Sequence, residues 1–186
     1  MLSYSHDYFL LLLLCIMKLC CCILLLLTNI NAQEGHGGST FCGVAALVLM
    51  KKLDEVIDAD WRKDLVRWCV HRQIGGMQGR PNKVEDTCYS YWIGGTLRLL
   101  GTDTFALLDH NALRSFVFTC QSPMGGFRKS LNAFPDMLHS FYSLSYVNLS
   151  GDCFDEPDRV PLKEMNCTLG CCQETASKFN STTFLP

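Results

Sequence analysis

The chain has 186 residues, of which 48% are hydrophobic and 18% charged, and its formal net charge at pH 7 is −2. This composition excludes a disordered chain, because there is enough apolar surface to form a core. The small net charge also lacks the basic footprint of nucleic-acid-binding proteins, so no nucleic acid is expected as a partner.

The N-terminal segment is almost wholly apolar over Tyr8–Leu27, interrupted only by Lys18. Its length suits a transmembrane helix, which needs about 20 apolar residues. A signal peptide cleaved near Ala32 is a second interpretation, although no basic region precedes the apolar run. A third is that the segment is not native sequence, because its low complexity stops abruptly where an ordered pattern begins, around residues 33–35.

From Gly35 onward, apolar residues recur with helical spacing, and mostly apolar helices alternate with amphipathic ones. Asp109 is a predicted N-cap and Gly101 a predicted C-cap. No alternating pattern of useful length predicts a strand. The predicted helices span Ser39–Leu53, Asp60–Gln73, Asp86–Leu100, Asp109–Gln121, Asp136–Leu149 and Leu162–Lys178.

Two stretches repeat one design at a period of about fifty residues, and each opens with a Gly-Gly turn, Gly75-Gly76 or Gly125-Gly126. Such repeats indicate stacked helical hairpins, with apolar helices forming an inner ring and amphipathic helices an outer ring. We therefore expect an all-α fold. The expected divisions are an apolar leader over residues 1–32, α/α repeats over 33–151, and a tail over 152–186 with a possible short helix.

The twelve cysteines leave a different class of protein open. Three of the four in the repeat region are expected to be buried core thiols, the four being Cys42, Cys69, Cys88 and Cys120. A secreted or membrane-anchored glycoprotein would instead carry disulfides. Three sequons fit that alternative, at Asn148, Asn166 and Asn180.

Superposition of the two repeats predicts a metal site. Asp86 aligns with Asp136, and Cys88-Tyr89 aligns with Leu138-His139. Adjacent repeats would therefore bring Asp86, Cys88 and His139 to one end of two neighbouring helices. One oxygen, one sulfur and one nitrogen ligand, with room for an exchangeable fourth, is typical of a catalytic zinc site. Each residue alone also fits a structural role, as a helix cap, a core thiol or a buried histidine.

Basic residues beside this site predict an anion pocket. Arg80 and Lys83 precede the helix that begins at Asp86, where the helix dipole does not favour cations. With a phosphate ligand they make sense, because a guanidinium and an ammonium both bind phosphate oxygens. His36, Tyr89 and Lys129 would lie at the same edge of the fold, where the apolar helices of successive repeats begin. The alternative is a solvated, glycine-rich turn.

Several motifs resemble the β subunits of protein prenyltransferases over about Gln33–Leu149. They are Gly37-Gly-Ser-Thr-Phe-Cys-Gly, Gly79-Arg-Pro-Asn-Lys, Asp86-Thr-Cys-Tyr-Ser-Tyr-Trp, Cys120-Gln-Ser with Gly125-Gly-Phe, and Pro135-Asp-Met-Leu-His. The resemblance implies an α/α toroid that pairs with a helical-repeat α subunit. It also implies transfer of an isoprenoid from its diphosphate to the cysteine of C-terminal CaaX motifs, in proteins such as small GTPases, in the cytoplasm.

By this resemblance, Asp86, Cys88 and His139 hold one zinc ion, and Trp92 forms an aromatic wall of the isoprenoid pocket. The diphosphate-binding positions are His36, Arg80, Lys83 and Tyr89. Cys88 and Lys129 are expected to take part in the chemistry.

Lys129 resembles the lysine of the geranylgeranyltransferase type I β subunit, where farnesyl- and Rab-type subunits carry aspartate. The predicted lipid substrate is therefore geranylgeranyl diphosphate. The family's β subunit is about twice this length, so the chain is expected to form about half a ring, preceded by a foreign leader. A non-catalytic fragment that binds the α subunit, or a farnesyltransferase β subunit, are the alternatives.

Overall fold

The structure is a computed structural model that describes residues 34–151 and 162–181. The expectations for the leader, for Asn180 as a glycosylation site and for residues 152–161 of the tail lie outside the described side chains. Within the described part, no helix combines the length and apolar character that a membrane crossing needs. The described chain is helical apart from four strands of two residues each.

The helices of the described part are α1 (Gly37–Leu49), α2 (Leu53–Val56), α3 (Ala59–Val70), α4 (Thr87–Leu100), α5 (Thr102–Phe105), α6 (His110–Thr119), α7 (Met137–Leu149) and α8 (Gln173–Ser181). The strands are β1 (Phe127–Arg128), β2 (Pro135–Asp136), β3 (Met165–Asn166) and β4 (Cys171–Cys172). β1 pairs with β2 and β3 with β4, both antiparallel.

The mostly apolar helices α1, α4 and α7 lie side by side, with α4 in the middle. The amphipathic helices α3 and α6 both pack against α4. The core between them is continuous and includes Val44, Leu65, Ile93, Leu113 and Val117, each at most 3% exposed. This is the expected alternation of an apolar layer covered by an amphipathic one.

Aspartates begin most of the longer helices, as expected from their capping preference. The carboxylates of Asp86, Asp109 and Asp136 each accept a hydrogen bond from a backbone N–H in the first turn of α4, α6 and α7. Helix α3, predicted over Asp60–Gln73, instead begins at Ala59 and ends at Val70, and the Asp58 carboxylate caps it by accepting from the Trp61 N–H.

The largest differences from the predicted helix bounds are at the end of α1 and the start of α8. Helix α1 stops at Leu49 because Lys51 adopts a left-handed φ of 56°, which ends the helical hydrogen bonding. The predicted helix over residues 162–178 is also wrong in its first half, where the chain forms the β3–β4 hairpin. Helix α8 begins only after that hairpin.

The β3–β4 hairpin repeats the arrangement of β1 and β2. In both cases a short antiparallel pair leads directly into a helix, with Pro135-Asp136 before α7 and Cys171-Cys172 before α8. Cys172 therefore takes the cap position of Asp136, and its sulfur lies 2.9 Å from Thr175 Oγ1. The segment 165–181 therefore has the form of the start of a further repeat, a short antiparallel pair followed by a helix.

Backbone hydrogen bonds join successive repeats at one rim of the fold. The Gly37 N–H, at the start of α1, donates to the Gly79 carbonyl over 2.9 Å. The Thr87 N–H, at the start of α4, donates to the Lys129 carbonyl over 3.0 Å. Gly79 and Lys129 occupy the same place in their turns, each four residues after the first glycine. We call these bonds the backbone rungs.

A large apolar surface remains exposed on α7 and on the loop before it. Met124, Phe134 and Met137 are 88–90% exposed, and Leu138 and Phe141 are about half exposed. This matches the expectation that part of an inner face stays open. Cys42, which the sequence places in the core, is exposed. Cys69 and Cys120 are buried as expected.

Candidate functional site

Asp86, Cys88 and His139 come together where α4 and α7 begin. One ligand atom from each residue lies within 4.8 Å of the other two. The Asp86 Oδ1 is 3.3 Å from His139 Nε2 and accepts the Cys88 N–H over 3.0 Å. Their donor atoms, carboxylate oxygen, thiol sulfur and imidazole nitrogen, fit a zinc ion with one position left for an exchangeable ligand.

The imidazole of His139 is oriented by Asp136, a role that the sequence interpretation missed. The His139 Nδ1 lies 2.6 Å from Asp136 Oδ2, while Asp136 Oδ1 accepts the His139 N–H over 2.9 Å. These two hydrogen bonds hold the pKa of Asp136 below its ordinary value, the backbone bond having the larger effect. With the Nδ1 proton bound to a carboxylate, Nε2 can offer its lone pair to a metal.

The thiol of Cys88 is protonated without a metal. Burial raises its pKa well above the ordinary value, and the hydrogen bond to the Asp86 carboxylate raises it further. The charge of Lys129 lowers the pKa by less than these effects raise it, so a thiolate in this position needs a further cation. Metal coordination supplies one, because it deprotonates a thiol ligand outright.

Lys129 extends from the second Gly-Gly turn towards the same cluster. Its Nζ is 3.6 Å from Asp86 Oδ2, and half of the lysine side chain is exposed to solvent. The backbone rung to Thr87 fixes the position of its main chain. An ammonium group thus lies beside the candidate metal ligands.

His36 and Tyr89 form a hydrogen-bonded pair beside the first Gly-Gly turn. The Tyr89 hydroxyl is 2.8 Å from His36 Nε2, and His36 Nδ1 accepts from the backbone N–H groups of Gly38 and Ser39. Burial lowers the pKa of His36, and the charge of Arg80 lowers it further. His36 is therefore a neutral cap of α1, which donates through Nε2.

Gly79 makes this pair possible. A Cβ at residue 79 would lie 2.1 Å from the Tyr89 ring, so only glycine allows the ring to lie over the turn. Because Tyr89 follows Cys88 directly, the pair connects the candidate metal ligands to the candidate anion-binding residues.

Arg80 and Lys83 take different positions in the loop. The guanidinium of Arg80 is 3.5 Å from Glu34 Oε2, at the start of the described chain. Lys83 is exposed, and its carbonyl accepts a hydrogen bond from the Gln78 side chain. Arg80 therefore lies near His36 and the start of α1, whereas Lys83 is exposed to solvent.

Trp92 belongs to an aromatic group on the inner helices. Its ring centroid is 4.3 Å from that of Tyr142 on α7 and 5.1 Å from that of Phe41 on α1. Tyr142 was not singled out from the sequence, although its spacing from His139 places both on one side of α7. This group gives the space beside the metal ligands an aromatic wall.

The site combines three chemical capabilities. Asp86, Cys88 and His139 can hold a metal ion, Arg80 and Lys129 offer positive charge, and the aromatic group offers an apolar surface. Such a set can bind a molecule with an anionic head and an apolar body, next to a bound thiol.

Comparisons with known proteins agree with this arrangement. A family model described as "Prenyltransferase alpha-alpha toroid domain" matches residues 26–175. The geranylgeranyl transferase type-1 subunit beta of Arabidopsis thaliana is 42% identical over 129 residues, covering 64% of this chain and 34% of that protein. The subunit of the same name from Dictyostelium discoideum is 39% identical over 113 residues, covering 60% of this chain and 31% of that protein.

A solved structure is also similar. Candida albicans protein geranylgeranyltransferase-I complexed with GGPP superimposes with a TM-score of 0.70 and 28% sequence identity, over 81% of this chain and 44% of that one. The matches confirm the resemblance and the all-α toroid fold. The chain spans about a third of the length of the curated relatives it matches.

Proposed function

This chain belongs to the prenyltransferase α-α toroid family, and we propose that it is part of the β subunit of a zinc-dependent protein geranylgeranyltransferase type I. The observation that carries the proposal is the assembly of Asp86, Cys88 and His139 beside Lys129. The reaction would transfer geranylgeranyl from its diphosphate to the cysteine of a C-terminal CaaX motif.

Asp86, Cys88 and His139 would hold one zinc ion, and Asp136 would keep His139 in the ligating tautomer. When bound, the ion would hold the substrate cysteine as a thiolate, the form of a thiol that acts as a nucleophile. Around it, Asp86 would orient two groups, since its carboxylate already faces both His139 Nε2 and Lys129 Nζ.

The anion-binding residues would position the diphosphate and stabilise the charge that develops as it leaves. Arg80 and Lys129 would supply positive charge, and Lys83 would add a solvent-side cation. Tyr89 would donate a phenolic hydrogen bond, and His36 would orient that hydroxyl through their 2.8 Å contact. Trp92 would line the isoprenoid chain.

Lys129 supports the type I assignment over the farnesyl alternative. An ammonium group 3.6 Å from Asp86 provides a fixed positive charge where an aspartate would instead need a metal ion. The names of the two relatives favour the same choice.

The partners in this proposal are a prenyltransferase α subunit, geranylgeranyl diphosphate and CaaX-terminated proteins such as small GTPases, in the cytoplasm. The α subunit is favoured by the relatives, which are named as β subunits. A non-catalytic fragment that only binds the α subunit remains the second candidate, favoured by the open apolar surface around Phe134 and Met137.

Metal analysis of the purified full chain tests the proposal. We expect one zinc ion per chain, and loss of that ion in Cys88→Ala, because one of three protein ligands is removed. The matched control is Cys69→Ala, which also removes a buried helical thiol but lies outside the cluster. Undiminished zinc in well-folded Cys88→Ala would show that Cys88 is only a core residue.

Transfer activity separates the two candidate functions. The chain is co-expressed with an α subunit and supplied with geranylgeranyl diphosphate, farnesyl diphosphate and a CaaX peptide. We expect it to prefer transfer of the geranylgeranyl group. Zinc binding and α-subunit binding without transfer would favour the non-catalytic fragment.

A further inference from the structure

Glu34 places a carboxylate beside Arg80, one of the proposed anion-binding residues. Its Oε2 is 3.5 Å from Arg80 Nη1, and the two side chains are 43% and 44% exposed. A pair this exposed is held only weakly, so it can open when another anion approaches.

The charge of Glu34 reaches two further groups of the same rim. It raises the pKa of His36, against the larger lowering effects of burial and Arg80. It also raises the pKa of Arg72, against the larger effect of burial, which lowers it. Within the described part of the chain, Arg72 Nε and Nη1 are buried and have no hydrogen-bond partner. Glu34 thus faces the cationic side of the rim.

We propose that Glu34 is a built-in competitor that occupies Arg80 until a diphosphate displaces it. This inference rests on the proposed function, because it assumes that Arg80 binds the diphosphate of the isoprenoid substrate. A guanidinium binds carboxylates and phosphates through the same kind of N–H donors, so the two anions compete for Arg80.

Because of this competition, an anion that binds Arg80 must first displace the Glu34 carboxylate. A multiply charged diphosphate gains more from Arg80 and its cationic neighbours than the single charge of Glu34 does. Glu34 therefore lowers the affinity of every anion that uses Arg80, and a singly charged anion has less binding energy with which to offset that loss.

Binding of inorganic pyrophosphate to the full chain, measured by isothermal titration calorimetry, tests this inference. Glu34→Gln should tighten binding by about two- to fivefold, the ratio that corresponds to the release of an exposed ion pair. The gain should shrink as salt is added, because salt screens exposed charges. The matched control is Glu55→Gln, which removes the same charge from an exposed pair with Lys52 elsewhere on the surface.

A double-mutant cycle decides between competition and other effects. Arg80→Gln should weaken binding, and Glu34→Gln should then bring no further gain. Weaker binding in Glu34→Gln alone would mean that Glu34 supports Arg80, and unchanged binding would mean that Glu34 does not compete with the anion; either result would overturn the inference.

Equal gains with and without Arg80, or in Glu55→Gln, would also overturn it, since they would reflect net charge only. In each of these cases the proposed anion site would survive, provided that Arg80→Gln weakens binding. Pyrophosphate binding that does not depend on Arg80, or no binding at all, would overturn both the inference and the proposed anion site.

Discussion

Asp136 serves two purposes with one carboxylate. One oxygen caps α7 at the His139 N–H, and the other contacts the His139 ring at Nδ1. Capping alone would be satisfied by several residue types, whereas holding the imidazole proton favours a charged acceptor. The two roles can therefore be separated by substitution.

Asp136→Asn should retain the cap of α7 and weaken zinc binding by about 10- to 100-fold, the usual cost of losing a partner of a ligating histidine. Competition with a chelator of known zinc affinity measures the change. Asp109→Asn is the matched control, because Asp109 caps α6 at the Ala112 N–H in the same way but contacts no candidate ligand. Equal zinc affinities in the two variants would leave Asp136 as a cap only.

Lys129→Asp should change metal dependence. The substitution removes the ammonium group 3.6 Å from Asp86 and adds a carboxylate, a ligand that magnesium prefers. In a β subunit with these residues, paired with its α subunit, transfer should slow without magnesium and partly recover at millimolar magnesium. Rates that do not respond to magnesium in the variant would identify Lys129 as a solvated loop residue.

The ligand cluster could be predicted because repeat superposition placed Asp86 and His139 at equivalent helix starts. The contact between Asp136 and His139 could not, because a capping role already explained the aspartate. The pair of Glu34 and Arg80 was also missed, since their 46-residue separation carries no periodic signal. Contacts between loops depend on how each loop closes, which local pattern does not specify.

At the scale of the helices, α4 depends on two adjacent glycines that have different surroundings. A Cβ at Gly94 would meet Phe105 and Tyr146 at an ordinary 3.5 Å. At Gly95 it would lie 2.8 Å from the Phe41 ring and 3.2 Å from the Cys167 sulfur. The second glycine therefore sets how closely α1 and the β3–β4 hairpin approach α4.

Gly95→Ala should destabilise the fold by about 1–3 kcal/mol through overpacking. Gly94→Ala should be neutral or stabilise it by up to about 1 kcal/mol, because alanine favours the helix. Urea unfolding of both variants, followed by circular dichroism, measures the difference. Similar losses in the two would show that α4 does not pack closely on α1 at Gly95.

The start and type of the long helices could be predicted because aspartate caps and 3.6-residue periodicity agreed over α4, α6 and α7. The β3–β4 hairpin could not, because Cys171-Cys172 replaces the aspartate that marks the other entrances and no Gly-Gly pair precedes it. Its position is set by tertiary contacts, including the Tyr91 hydroxyl, which donates to the Cys167 carbonyl over 2.8 Å.

For the whole molecule, the described fold carries its own caps and core from residue 34 onward. His36 caps α1, and the core residues of α1, α4 and α7 form one cluster. Removal of residues 1–32 should therefore leave the helical circular dichroism of the chain intact and increase its solubility. Expression only with the leader, in membranes and with glycosylation at Asn166 or Asn180, would contradict the proposed cytoplasmic location.

The backbone rungs have a consequence for how related proteins of this family diversify. The Thr87 N–H donates to the Lys129 carbonyl, and the Thr87 hydroxyl donates to the Arg128 carbonyl, so neither contact between the two halves of the cluster uses the Lys129 side chain. The side chain at that position is then free to change without moving Asp86 relative to His139. Replacement of lysine by aspartate at position 129 exchanges an ammonium group for a carboxylate, a ligand that magnesium prefers. Related proteins can therefore share one architecture and differ in the ion that they require.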